Sequence, residues 1–267
     1  MIDLVRTYRA LLLAGFQQMA QYRIQSLLWM LFAIIRPVIF LAAWVAVATA
    51  QGGAVSGYSV ADFAAYYVCL AWVTQLVMAW NSQEFEWEVN QGRLSAKLLR
   101  PLHPVHYSIV DNIVFKATTL PVLAVILIVI SIAFGARFQT QPWHVMVFVP
   151  SVLLAAGLFF VFGYIIACLA FWATRMRTAN TLWQRASFVF AGQIAPIALM
   201  PGWLQGITYG LPFWYMQGAP TEILQGTATP ERAAFILVGQ AAWLVVCYAV
   251  FRVVWRRGVR AYSAVGA

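Results

Sequence analysis

Charge is scarce in this chain. Asp, Glu, Lys and Arg make up 9% of its 267 residues, hydrophobic residues make up 63%, and mean hydropathy is +0.78. A water-soluble domain of this length exposes far more charge, so a multi-span membrane protein is expected. Acids are the scarcer sign, 8 against 17 cations. None sits in the middle of an apolar run, which argues against a proton-coupled carrier, whose relay needs intramembrane carboxylates. Cysteine is rare too. Cys69, Cys168 and Cys247 lie far apart inside apolar runs, as small buried hydrophobes rather than disulfides or ligands.

The motifs of chemistry are also missing. No G-x-x-x-x-G-K-[ST] occurs, so the chain does not bind ATP by that route. Nor does G-x-S-x-G, H-E-x-x-H or C-x-x-C, which removes the common hydrolase, zinc-protease and redox classes. His103 and His106 are spaced to share a metal on one helical face, but Pro104 lies between them and no third ligand is evident. Hydrogen-bonded or solvated histidines are the expectation there, and no metal.

What is present is apolar and periodic. Runs extend over about Leu27–Ala50, Ala61–Trp80, Ile113–Phe134, Val145–Ala173, Ala186–Met200 and Ala233–Val254. A span needs roughly 20 apolar residues, and about six fit. The first run is read as retained rather than cleaved. The connections differ in charge. Arg6, Arg9 and Arg23; Arg93, Lys97 and Arg100; Arg175, Arg177 and Arg185; and Arg252, Arg256, Arg257 and Arg260 all fall on one side. The other side has Arg137 and Arg232, while Arg36 and Lys116 fall within the spans. The positive-inside rule places both termini in the cytoplasm. The net charge of +9 is then a topology signal and a contact for anionic lipid, not a nucleic-acid footprint.

Between the runs lie three further features. In the first 21 residues, Leu4, Val5, Tyr8, Leu11, Leu12, Gly15, Phe16 and Met19 share one helical face, away from Asp3, Arg6, Arg9 and Gln17. That pattern fits a helix lying in the membrane surface, or one packed on other spans. After run two, helix is expected to continue to Asn90–Gln91, where Gly92 stops it. Glu84 and Glu88 then share a face and repel unless Arg93 or Lys97 answers them. A short helix from about Arg93 to Arg100 follows, with Arg93, Lys97 and Arg100 on one face and Leu94 and Leu98 on another, ended by Pro101. It suits docking into a partner's groove, or anchoring to anionic lipid. Lastly, Met200 to Arg232 is apolar but broken by Pro201, Pro212, Pro220 and Pro230, with Gly202, Gly206 and Gly210 spaced by four. Short re-entrant helices are favoured over a plain outer loop, because non-helical backbone at that depth must be sheltered. No internal repeat relates the two halves, which weakens an inverted-repeat carrier.

Three stretches carry a resemblance: "QGRLSAKLLRPLHPVHY" after the second run, "PGWLQGITYGLPFWYMQGAPTEILQG" between the fifth and sixth, and the tail "WRRGVRAYSAVGA". Together they resemble permease subunits of ABC-2 type bacterial exporters, in particular the daunorubicin-resistance-like six-span subgroup. The resemblance implies a single all-α transmembrane domain over 1–267, with an elbow helix over 1–21, a cytoplasmic coupling element over 90–107 and an outer re-entrant segment over 201–232. It implies a second permease, identical or similar, and two ATP-binding cassette subunits that bind ATP and Mg in place of this chain. The implied location is the bacterial inner membrane. The ATPase-coupling residues would be Glu84, Glu88, Gly92, Arg93, Leu94, Lys97, Leu98, Leu99, Arg100 and Pro101. The outer gate would be Pro201, Gly202, Gly206, Gly210, Pro212, Pro220 and Gly226. A stand-alone secondary carrier or an importer's membrane component is the alternative, and an intramembrane enzyme lacks its residues.

Overall fold

Long apolar stretches can satisfy their backbone in lipid only as helices or closed barrels, and this chain takes the helical route. A computed structural model describes residues 4–21, 23–173 and 176–262, without the side chains of 23–27, 29–33 and 177. The first residues of the expected elbow, Arg175 and the end of the tail lie outside that range. Helices α1 (Leu4–Gln21) and α2 (Arg23–Ala50) lead to a small hairpin, β1 (Ala54–Val55) with β2 (Tyr58–Ser59). Its turn residues Ser56 and Gly57 both have positive φ, 48° and 85°, as a two-residue hairpin loop demands. Then come α3 (Val60–Val77), α4 (Asn81–Asn90), α5 (Leu94–Leu98), α6 (Val105–Ala133) and α7 (Pro142–Cys168), the last prolonged by a 3-10 turn, Leu169–Phe171. Helices α8 (Arg177–Phe190), α9 (Gly202–Gly210), α10 (Pro212–Met216) and α11 (Gly218–Gln225) are shorter, and α12 (Pro230–Ala261) closes the chain.

Among the described residues, Val60–Asn90, Val105–Ala133, Pro142–Phe171 and Pro230–Ala261 are long and apolar enough to cross a membrane. Helix α2 has 28 residues, roughly 40 Å at 1.5 Å per residue. Starts are set by local chemistry. Ser59 and Asp62 form a capping box on α3, Pro142 and Pro230 stand in the first turns of α7 and α12, and Thr229 caps α12 by accepting from the Arg232 N–H. Helix α3 is the most enclosed, packed among α2, α6, α7 and α11, while α12 lies along α7. Helix α1 rests on α6, where Tyr8 shares a 2.6 Å hydrogen bond with His106 and Gly15 faces Val114. Of the surface helix's expected apolar face, Tyr8 and Gly15 therefore meet protein, while Leu4, Val5 and Phe16 are exposed.

Two apolar runs depart from the sequence expectation. Run two is not one helix to Asn90: Met78 leaves the helical region with ψ 141°, and α4 restarts at Asn81. The buried Asn81 amide donates to the Phe160 carbonyl at 2.8 Å, and Gly163 makes room for it, since a Cβ there would lie 2.8 Å from Asn81 Oδ1. Run five is not one helix either. Helix α8 ends at Phe190, and Gly192 takes φ +81°. The carbonyls freed there are filled by side chains of α2 and α3. Tyr66 donates to Gly192 O at 2.7 Å, and Tyr67 and Trp44 donate to Ile194 O at 2.6 and 2.8 Å. Irregular backbone at this depth survives because protein shelters it. Elsewhere the helices simply extend beyond the apolar runs, with α6 starting at Val105 and α12 at Pro230.

Gly226 ends α11 in the left-handed region, φ +88°, with the Gln139 backbone 2.3 Å from where its Cβ would stand. Gln139 N–H donates to Gln225 O at 3.0 Å, so the close approach is hydrogen-bonded in place. Gly226→Ala is expected to cost upwards of about 1 kcal/mol from backbone strain alone, and a scanning fluorimetry melt in detergent will show a lowered midpoint. Gly206→Ala, where a Cβ meets open space, will not lower it.

Candidate functional site

At the basic end of the bundle, α5 is a single turn and a half rather than the expected Arg93–Arg100 helix. Gly92 takes φ +68° and stops α4, as the sequence predicts. Leu94 is fully buried among Phe85, Val89 and Tyr164, and Leu98 packs against the same cluster. Lys97 pairs with Glu88, which answers the acid pair on α4, and lies 4.9 Å from the Tyr107 ring. Arg93 stacks on Trp87 at 4.2 Å. Glu84 is exposed on α4. Leu99, 89% exposed, and the exposed Arg100 and Pro101 point out. The basic face and the leucine face are thus each divided between inward and outward duties.

Sequence reasoning places Glu86 beside Glu84 and Glu88 after run two but gives it no contact of its own. Its carboxylate accepts from the Met176 N–H at 3.1 Å and the Asn180 amide at 2.7 Å, tying α4 to the start of α8. The helical spacing of Glu84 and Glu88 drew attention to the neighbouring face, and nothing local marks Glu86. The tail also returns here: Tyr262 meets Ser95 at 3.1 Å. His103 packs against Trp255 with its ring tilted, centroids 4.6 Å apart, and burial, with His106 beside it, pushes its pKa down. His106 is occupied by Tyr8.

At the opposite end, α9 to α11 form the broken segment the prolines predict. Pro201 caps α9, Pro212 opens α10, and Pro220 is buried in α11. Gly202, Gly206 and Gly210 face open space rather than another helix of this chain. The clamp is Arg232. It bonds Glu222 at 3.4 Å and lies over Tyr209 at 4.5 Å and Trp214 at 4.6 Å, while Trp214 Nε1–H also donates to Glu222 at 3.2 Å. Gln240 holds the next turn through the Tyr215 carbonyl at 2.9 Å.

Between the two ends lies a cavity of about 300 Å³, large enough for a small ligand. Its polar lining includes Arg36, Gln75, Gln83, Gln184, Gln193 and Gln217, and no carboxylate lines it among the described residues. Gln75 donates to Thr119 at 2.8 Å and Gln193 to Gln217 at 2.7 Å. Arg36 lines it with its guanidinium 5.2 Å from the Phe188 ring.

Residues 24–266 match the family described as ABC-2 family transporter protein. The chain belongs to that family. No curated protein and no solved structure matches it. An ABC-2 permease component is a multi-pass membrane protein that serves an ABC transporter together with ATPase partners. In this ABC-2 permease the outer clamp is testable. Arg232→Ala removes a partly buried cation from an acid and two rings, a loss of about 2 kcal/mol. The detergent melting midpoint will fall by a few degrees, and Arg232→Lys, which lacks the planar fork, will recover only part.

Proposed function

We propose that this chain is the permease subunit of an ATP-driven exporter. It forms the substrate path with a second permease and is driven by two separate ATP-binding cassette subunits, which carry ATP and Mg. The observation that carries the reading is the α4–α5 element within an ABC-2 family chain: a short, internally braced projection at the basic end. The positive-inside rule puts that end in the cytoplasm, where ATPases sit. Two crossings are then broken helices, giving a six-span layout in a bacterial inner membrane, with α1 as the elbow on the membrane surface. The segment from Pro201 to Gly226 forms the outer gate. Leu94 and Leu98 hold the coupling element from inside, and Leu99 and Arg100 present it to the ATPase.

Co-purification with a Walker-motif ATPase from the same operon, and transport that stops without ATP, are the tests. Transport by the chain in the absence of any ATPase would overturn the reading. Leu99→Asp and Arg100→Glu are expected to reduce ATPase co-purification at least about tenfold, a loss of 1.4 kcal/mol or more, with membrane insertion intact. Leu94→Asp buries an unpaired charge and will lower the yield of folded protein instead.

A further inference from the structure

The last turns of α12 divide into two faces of opposite character. Trp255, Gly258 and Tyr262 are turned inward: Trp255 packs on Phe85 and Phe171, Gly258 lies against Phe171, and Tyr262 meets Ser95. On the other face Arg252, Arg256 and Arg260 succeed one another one helical turn apart, with Arg257 beside them, and all four are exposed. None of these four side chains has a hydrogen bond, ion pair or ring contact among the described residues. Lys97, Arg93 and Arg232, by contrast, are answered by Glu88, Trp87 and Glu222. Toward the middle of the span the same exposed strip is apolar, at Val245, Val246, Ala249 and Val253. Tyr248, one turn before Arg252, and Trp172, next to the Phe171 that touches Gly258, are both half exposed. They are the aromatic types enriched where a span meets the membrane–water boundary. The strip thus passes from an acyl-chain surface to a cationic one at headgroup level.

We propose that this end of α12 is a binding site for an acidic phospholipid. Its phosphate sits among Arg252, Arg256 and Arg260, whose forked guanidiniums match phosphate oxygens bidentately. Its acyl chains lie along Val245, Val246 and Val253. Charge complementarity selects this occupant. Four cations without a counter-charge fall within about 12 Å of helix, and a lipid with net negative charge neutralises them. A zwitterionic lipid brings a cation of its own into the row. Helix α5 lies on the other side of α12, where Ser95 meets Tyr262, so the row is separate from the surface assigned to the ATPase. The site stands directly behind the helix end that braces this element through Ser95 and His103. The inference goes beyond the exporter reading and needs only a membrane around α12.

The experiment offers the delipidated full chain, in nonionic detergent, equal amounts of phosphatidylglycerol and phosphatidylcholine with the same acyl chains. Native mass spectrometry reads which lipid stays bound. The chain is expected to retain phosphatidylglycerol about tenfold or more over phosphatidylcholine. Arg252→Gln, Arg256→Gln and Arg260→Gln combined bring the ratio close to one. Arg9→Gln, Arg137→Gln and Arg185→Gln combined remove as much charge elsewhere and change the ratio by less than about twofold, because distant exposed charges are screened. Arg256→Gln alone, at an exposed position, lowers the ratio in part and keeps the test valid if the triple variant folds poorly. A ratio near one for the unaltered chain, a ratio indifferent to the α12 substitutions, or an equal fall in both triple variants would overturn the proposal. So would an α12 triple variant that keeps its lipid preference but no longer co-purifies an ATPase, which assigns the row to the protein partner. Because the lipid assay contains no ATPase, its failure is distinct from a failure of the exporter reading.

Discussion

The rest of the molecule depends on the donation of the Asn81 amide to the Phe160 carbonyl across the gap opened by Gly163. Helix α3, the most enclosed in the bundle, gives up its backbone ladder at Met78. Within a membrane an interrupted helix is stable only where protein takes over the freed groups. The clamp to α7 fixes where the chain restarts. Helix α4 then lays Phe85 against Tyr164, Phe171 and Trp255, and that cluster receives Leu94. The projecting element at the basic end is therefore seated by a contact deeper in the bundle. On the other side of the same break, Met78, Trp80 and Gln83 become part of the cavity wall.

The second interruption is its counterpart. Between Phe190 and Pro201 the chain has no regular α-helix, and tyrosine hydroxyls of α3 and an indole of α2 fill its carbonyls. The cavity lies between the two breaks, with α4 and α8 both contributing to it. These two helices are also joined at the basic end, where Glu86 bonds Met176 and Asn180. A displacement of α4 thus bears directly on the helix that holds Trp183, Gln184 and Ser187.

How much of this the sequence reveals follows from how local each feature is. Helices α6, α7 and α12 are long and apolar, and their runs announce them. Gly92 and Gly226 are positive-φ stops, the job for which glycine is the usual residue. Pro201, Pro212 and Pro220 foretell the short outer helices. The break at Met78 has no such mark, because Val77, Met78, Ala79 and Trp80 read as uninterrupted hydrophobic sequence. What breaks the helix is Asn81, whose partner is a backbone carbonyl far along the chain. The run over Ala186–Met200 likewise looks continuous, with only Gly192 and Pro196 as faint signals. The cavity is illegible for the same reason: Arg36, Gln75, Gln184 and Gln217 are isolated polar residues in separate segments, each unremarkable until folding brings them together.

Around α5, at the basic end, most side chains already have partners within the chain. Arg93 is occupied by Trp87 and Lys97 by Glu88, while Leu94 and Leu98 serve the core. Of the six residues in that stretch with something to offer a partner, Arg93, Leu99 and Arg100 are exposed, and Arg100 makes just a long 3.4 Å contact to Tyr107. The exposed leucine and the neighbouring arginine put an apolar side chain beside a bidentate hydrogen-bond donor. The inward contacts are strong enough to keep the turn in place without the partner. A partner bound there would meet a turn that is already ordered, which lowers the entropy cost of association.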